Sequence, residues 1–257
     1  MTEKLSQIIK NLGKHQDVDG VFVTGSQGDD YKPYSDIDLV IILNDNHHKI
    51  SSLYTWIDEK FADIFFFDHL DVERMMVKDN IETNSMDAIF IDWLRKATIH
   101  FDKSGILNKL KNNLALKTFS IPISEKQQFW QKINYNFVAN TRYFQSNDSL
   151  YHNALEIRLL YSVSELLCGY FEFRDIPWRG EKTAIKYFQV NDVKFYDKFI
   201  SYTKAYNLGD RFKAYQDLVK LTFTDEYKEW LVGDILPQSK ENKDVGSMIK
   251  YWGDLTN

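Results

Sequence analysis

Residues 25–38, GSQGDDYKPYSDID, separate two apolar segments of the chain. The preceding segment, GVFVT at residues 20–24, predicts a short strand. The following segment, LVIIL at residues 39–43, is a continuous aliphatic run, as in a strand buried on both faces. A Gly-Ser pair therefore ends one strand and an Asp-x-Asp motif begins the next. These two motifs predict where the chemistry of the protein lies.

The two aspartates of this motif, Asp36 and Asp38, are spaced to share one face of a strand. Side chains alternate between the faces of a strand, so positions i and i+2 lie roughly 7 Å apart on one face. Two carboxylates this close destabilise each other's charge unless a cation lies between them. Oxygen ligands of this kind suit Mg²⁺, or Mn²⁺ as the alternative, far better than zinc. The motif predicts two Mg²⁺ ions that clamp the attacking and leaving oxygens of a displacement at phosphorus.

The Gly-Ser pair, Gly25 and Ser26, predicts a phosphate-binding turn. Glycine lets the backbone approach a ligand closely, and exposed backbone N–H groups with the Ser26 hydroxyl suit phosphate oxygens. The sequence does not match two other site types. No Gly-Lys-Ser/Thr follows the glycines, as a P-loop requires, and the glycine and glutamate of an EF-hand are missing.

A third carboxylate is expected on a neighbouring strand, predicted at residues 62–68 (ADIFFFD). If this strand pairs with the one that carries Asp36 and Asp38, Asp63 reaches the same metal site. Asp63 would then bind metal and take the proton from an attacking hydroxyl group. Asp68 is the alternative, but the odd offset from Asp63 places the two on opposite faces, so only one can serve.

The combination of Gly-Ser, nine residues, and Asp-x-Asp followed by an aliphatic strand resembles the signature of the polymerase-β-type nucleotidyltransferase superfamily. In that superfamily the Gly-Ser binds the nucleoside triphosphate and the Asp-x-Asp binds metal. The matching positions are Gly25, Ser26, Asp36 and Asp38, whereas Asp63 matches the third carboxylate by strand placement only. The resemblance covers residues 20–105 and implies a mixed sheet flanked by helices.

Length and layout are similar to those of two-domain antibiotic nucleotidyltransferases, which adenylylate aminoglycosides or lincosamides on a hydroxyl group. This resemblance implies transfer of AMP from ATP to a small hydroxylated acceptor, with release of pyrophosphate. A Gly-Glu-Lys turn at residues 180–182 resembles turns of related bacterial enzymes, and Lys182 is accordingly a candidate nucleotide-binding residue.

The pattern of apolar residues divides the chain into an α+β domain at residues 1–115 and an all-helical domain at residues 124–257. In the first domain, residues 48–60 are predicted to be helical. In the second, long helices are predicted up to residue 232, and the polar residues from Pro237 onward are expected to be loosely held. The helix at residues 149–172 is predicted to bury Cys168 as a structural thiol, and to carry a buried ion pair involving Glu156 and Arg158.

Composition excludes several classes of protein. Hydrophobic residues make up 44% and charged residues 27%, as in globular proteins, and the single cysteine excludes an internal disulfide. The chain opens without the apolar core of a signal peptide and has no apolar run long enough for a membrane span, so a soluble cytoplasmic protein is expected.

The net charge of −5 arises in residues 1–115, which contain 19 acidic and 13 basic residues. Nucleic acid is therefore not an expected partner. Two alternatives to the small-molecule enzyme stay open. One is an antitoxin-like enzyme that adenylylates a protein, which the large helical half disfavours. The other is a catalytically silent binding scaffold, which the complete motifs disfavour.

Overall fold

A computed structural model describes residues 3–24, 36–232, 234–235 and 245–256. The chain divides into two compact units, Met1–Ser120 and Ile121–Asn257. The first unit contains a mixed sheet flanked by helices, and the described part of the second contains helices and no strand. The predicted α+β fold class is confirmed. None of the helices in the described ranges is long and apolar enough to cross a membrane.

Five strands form the central sheet of the first unit, in the spatial order β3-β4-β2-β1-β6. Strands β2 and β4 are parallel, and the other neighbouring pairs are antiparallel. Two short strands, β5 and β7, pair in parallel as a separate ribbon. The strands are β1 Val18–Thr24, β2 Ile37–Leu43, β3 Ser52–Ile57, β4 Lys60–Asp68, β5 Asn80–Glu82, β6 Thr98–Asp102 and β7 Thr118–Ser120.

Helices of the first unit cover both faces of this sheet. They are α1 Glu3–Lys14, α2 His69–Val77, α3 Met86–Lys96 and α4 Ile106–Asn113. On one face Val40 and Ile42 of β2 pack into a core with α2, α3 and α4, and on the other face Leu39 and Ile41 pack with α1. The aliphatic run of β2 is therefore buried on both faces, as expected from its lack of alternation.

The predicted helix at residues 48–60 is wrong, because this segment contains strand β3. Its register pairs β3 with β4 through a tight turn at Asp58 and Glu59, whose φ angles are 49° and 62°. Two consecutive positive φ angles are typical of the two-residue turns that join antiparallel strands. Ile57 is buried against the α1 face while Trp56 is exposed on the other, which is the alternation of a strand.

The second unit is built from long helices around a core rich in aromatic side chains. They are α5 Ile123–Phe144, α6 Ser149–Glu172, α7 Glu181–Asn191, α8 Val193–Lys204, α9 Leu208–Thr222 and α10 Val245–Thr256. The rings of Phe188 and Phe195 stack with their centroids 4.2 Å apart. Helix α9 ends ten residues before the predicted bound of 232, and α10 was not predicted.

Helix α6 positions three side chains that the sequence singled out. Burial raises the pKa of Cys168 to about 11, so this half-buried thiol stays protonated at neutral pH, in agreement with a structural role. The predicted ion pair involving Glu156 and Arg158 is only half right. Glu156 pairs with Arg211 of α9. Arg158 instead donates hydrogen bonds to the side-chain carbonyl oxygens of two asparagines on α5.

Candidate active site

Three aspartates converge at one end of the central sheet. Asp38 on β2 pairs directly with Asp63 on β4, and Asp36 immediately precedes β2. Each of the three side chains offers a carboxylate oxygen, and these oxygens lie within 4.8 Å of one another. We call Asp36, Asp38 and Asp63 the aspartate triad. The parallel pairing of β2 with β4 is what brings Asp63 to the Asp-x-Asp motif.

The strand alternation explains why these carboxylates point away from α1. Asp38 precedes Val40 by two residues and so shares its face, the one that α2, α3 and α4 cover farther along the strand. Asp38 and Asp63 are half buried and Asp36 is exposed. The triad therefore lies beyond the apolar core of this face, where carboxylates remain accessible.

The electrostatics of the triad disfavour a negative charge on Asp63. The pKa of Asp63 is raised above its ordinary value, first by burial of the carboxyl group and second by the negative charge of Asp36. Its Oδ1 atom is buried and accepts no hydrogen bond within the described ranges. A buried, unpaired carboxylate oxygen is costly unless a cation or proton compensates it.

The donor set therefore fits a hard divalent cation. Three carboxylates offer only oxygen atoms, which Mg²⁺ and Mn²⁺ prefer, and the buried Oδ1 atom of Asp63 needs such a partner. Among the described residues no histidine or cysteine belongs to the cluster, in contrast to the nitrogen and sulfur ligands of most zinc sites.

Asp68, the alternative third carboxylate, has a structural role instead. It is the N-cap of α2, where its Oδ1 accepts a hydrogen bond from the backbone N–H of Asp71 at 3.0 Å. Asp71 in turn accepts from the backbone N–H of Asp68. This reciprocal capping box satisfies backbone donors at the start of the helix. Asp68 is thus occupied at the far end of β4, and Asp63 alone joins the Asp-x-Asp motif.

Of the predicted nucleotide-binding residues, Lys182 is the one that the structure describes. Gly25 and Ser26 lie outside the described residues, although they follow directly on Thr24, which pairs with Asp38. Lys182 is exposed in the first turn of α7, after Gly180, whose φ of 80° is in the left-handed region. Lys182 belongs to the second unit.

Sequence reasoning missed the residue next to Asp63 on its other side. Tyr54 of β3 pairs with Asp63, so the row Thr24, Asp38, Asp63 and Tyr54 runs across four strands. The signal was present in SLYTWI, where aromatic and β-branched residues favour a strand. The apolar positions in this window also fit helical spacing. Because the segment was interpreted as a helix, Tyr54 was not predicted to lie beside Asp63.

Comparison with known proteins adds a match for the first unit. Residues 3–117 match the model of a family described as a nucleotidyltransferase domain. No curated protein sequence matches the chain. Among solved structures it is similar to a nucleotidyltransferase-like protein from Exiguobacterium sibiricum 255-15, at 12% identity and a TM-score of 0.40, over 86% of this chain and 73% of that one. The residues matched by the family model include the whole aspartate triad.

Proposed function

Because residues 3–117 match the model of the nucleotidyltransferase domain family, we propose that this enzyme transfers AMP from ATP to a hydroxyl group of a small molecule and releases pyrophosphate. The observation that carries the proposal is the convergence of Asp36, Asp38 and Asp63. The proposed acceptor class is an aminoglycoside or lincosamide antibiotic, which would make the enzyme a resistance factor. The resemblance of the motifs and layout to antibiotic nucleotidyltransferases supports this choice.

In the proposed mechanism the triad holds Mg²⁺, with two ions expected and Mn²⁺ as the alternative. When bound, the ions supply Lewis-acid stabilisation of the negative charge at phosphorus. Gly25 and Ser26 would hold phosphate oxygens of the nucleotide, and Lys182 stays a candidate nucleotide-binding residue. These assignments come from the motifs, since the structure does not describe residues 25–35.

The chemical step is an in-line displacement at the α-phosphorus of ATP. The acceptor oxygen forms a bond to this phosphorus while the bond to the oxygen of the β-phosphate breaks, and pyrophosphate leaves. The proton of the acceptor hydroxyl passes to a carboxylate, for which Asp63 is the candidate base.

Calorimetric titration tests the nucleotide site before any acceptor is known. A nonhydrolysable ATP analogue is titrated with and without Mg²⁺ into the wild type and into the double variant Asp36→Asn/Asp38→Asn. We expect Mg²⁺-dependent binding that the double variant loses. Asp45→Asn, which removes an exposed carboxylate in a turn away from the triad, is the matched control.

A mass-spectrometric screen then identifies the acceptor. Hydroxylated antibiotics are incubated with enzyme, ATP and Mg²⁺, and each product is examined for the added mass of AMP. Absence of nucleotide binding in every condition, with GTP, CTP and UTP also tried, would contradict the proposed activity and favour the binding scaffold. Binding of ATP without modification of any antibiotic would reject the antibiotic class and retain the nucleotide site.

A further inference from the structure

Three exposed aromatic rings border the aspartate triad. Tyr54 and Trp56 of β3 are 62% and 64% exposed, and Phe61 at the start of β4 is 41% exposed. The ring of Phe61 is parallel to that of Tyr54, with centroids 6.3 Å apart, and meets that of Trp56 edge-on at 5.5 Å. We call these three residues the aromatic shelf. These large apolar rings are exposed to solvent, and a binding site for a ligand that contains a ring would explain this exposure.

The shelf lies on the same face of the sheet as the triad. Tyr54 pairs with Asp63 and Trp56 pairs with Phe61, and directly paired residues of antiparallel strands share a face. Side chains of such a pair begin roughly 5 Å apart. The opposite face of β3 carries Leu53 and Ile57, which point toward the α1 side. A ligand on the shelf is therefore in reach of the Asp63 carboxylate.

The order of the strands gives the aspartate triad two different sides. Strand β1 lies on one side of β2, and Gly25 follows its last residue, Thr24. The predicted phosphate-binding pair thus follows the strand on that side, whereas β4 and β3 lie on the other. Attacking and leaving oxygens are roughly in line across the phosphorus that is transferred. If pyrophosphate leaves on the β1 side, the acceptor arrives over β3.

The charges around the shelf select the kind of acceptor. Asp36 and Asp63 border it on the triad side, and Asp58 and Glu59 are exposed at the turn between β3 and β4. Lys60 is the one basic residue of residues 52–63. An acidic rim around ring faces repels anions such as nucleic acid. It attracts cations, which also bind the faces of aromatic rings.

We propose that the aromatic shelf binds the acceptor of the nucleotidyl transfer, a hydroxylated ring compound that carries an ammonium group. Its ring lies on Tyr54 and Trp56, and its hydroxyl group faces Asp63. This inference rests on the proposed function for the identity of the ligand as the acceptor. It adds the three shelf residues as determinants of acceptor specificity, on a strand that the motifs do not include.

Binding of two probes in the absence of nucleotide tests the shelf. Kanamycin A and lincomycin, both hydroxylated ring compounds with amines, are titrated into the wild type, Trp56→Ala, Trp56→Phe and Leu53→Ala, with the melting temperature of each variant recorded. We expect at least one probe to bind the wild type. Trp56→Ala should weaken this binding by about tenfold, as loss of one ring contact implies, and Trp56→Phe should restore most of it.

Leu53→Ala is the matched control, because Leu53 is 40% exposed on the same strand but on its other face. It should leave probe binding unchanged. The proposal is overturned if neither probe binds, if Trp56→Ala and Leu53→Ala bind equally well, or if glucose 6-phosphate binds better than the cationic probes. It is also overturned if sedimentation shows that the wild type is a dimer and that Trp56→Ala is a monomer. The shelf would then be the interface between two copies of the chain.

The outcomes separate this inference from the proposed function. Probe binding is measured without ATP or Mg²⁺, whereas the nucleotide site is measured by the titration with the ATP analogue. Loss of nucleotide binding together with shelf-dependent probe binding would reject the transfer reaction and leave a ring-binding surface. If the nucleotide binds but Trp56→Ala does not weaken the binding of either probe, the shelf is rejected as the acceptor site and the transfer reaction is retained.

Discussion

Two clusters of carboxylates in the first unit differ in what surrounds them. The aspartate triad has a raised Asp63 pKa and a buried carboxylate oxygen without a hydrogen bond. The second cluster, which we call the paired cluster, consists of Asp71, Arg74, Lys78 and Asp87 on α2, α3 and the residue that follows α2. Arg74 donates to Asp71 at 2.7 Å and to Asp87 at 2.8 Å, and Lys78 lies 3.3 Å from Asp87.

The pKa of Asp87 moves in the opposite direction from that of Asp63. Burial of Asp87 acts to raise its pKa, but the hydrogen bonds and charge of Arg74, followed by those of Lys78, outweigh burial and lower it. The paired cluster thus contains its own cations and stabilises the contact of α2 with α3. The triad instead brings three carboxylates together, and burial and the charge of Asp36 disfavour the ionised form of Asp63. The comparison indicates that the carboxylates of the paired cluster stabilise the fold, whereas those of the triad are available for chemistry.

The largest expected effect is on catalysis by the triad. Asp63→Asn should lower the rate of pyrophosphate release from ATP by a factor on the order of 1,000, because it removes both the candidate base and a metal ligand worth several kcal/mol of charge stabilisation. The rate is measured with Mg²⁺ and an identified acceptor. Asp45→Asn should keep the wild-type rate, and near-normal turnover in Asp63→Asn would contradict the assignment.

The second prediction concerns metal and stability. Saturating Mg²⁺ should raise the free energy of unfolding of the wild type by about 2–3 kcal/mol at a concentration of about a hundred times the dissociation constant. Asp63→Asn should gain much less from Mg²⁺. Without divalent cations this variant should be at least as stable as the wild type, because it removes the repulsion between Asp63 and Asp36. Urea unfolding with Mg²⁺ or with a chelator measures both differences.

The third prediction breaks the paired cluster. Arg74→Ala should lower the free energy of unfolding by about 1–3 kcal/mol, because it leaves Asp87, whose side chain is only 11% exposed, without its main partner. The double variant Arg74→Ala/Asp87→Asn should recover part of this loss. Urea unfolding at pH 7 gives the values, and an unchanged midpoint in Arg74→Ala would show that the cluster does not stabilise the fold.

The pH dependence of that loss follows from the lowered pKa of Asp87. A carboxyl group with a pKa lower in the folded state contributes stability above its unfolded value of 3.8, and this contribution is lost as the pH falls through the folded value. The stability difference between the wild type and Arg74→Ala should therefore be constant from pH 7 to pH 5 and shrink below about pH 4. A difference that grows on acidification would contradict the ion pair.

The smallest expected effect comes from the second cation of the paired cluster. Lys78→Ala should lower the free energy of unfolding by less than about 1 kcal/mol, because Lys78 is half exposed and Arg74 remains as the partner of Asp87. The measurement is the same urea titration. A loss as large as that of Arg74→Ala would mean that the two cations act as one unit and that the ranking of partners is wrong.

Much of the fold was predictable because local patterns and final packing agree. Residues 39–42 of the continuous aliphatic run are buried on both faces of the sheet, and the helix predicted at residues 149–172 is α6. Strand β3 was not predicted, since Ile50, Leu53 and Ile57 fit a helical spacing in so short a window. Pairing with β4 decides the conformation, and pairing is not a local property.

The sequence by itself determined that Asp36 and Asp38 share a face, because the two-residue alternation of a strand follows from backbone geometry alone. Only the tertiary structure decided which further side chains join them. The parallel register of β2 with β4 selects Asp63, and the antiparallel register of β3 with β4 places Tyr54 beside it. Both registers are set by contacts between segments that are distant in the sequence. These contacts bury apolar surface, and the local spacing of residues does not specify which segments will meet.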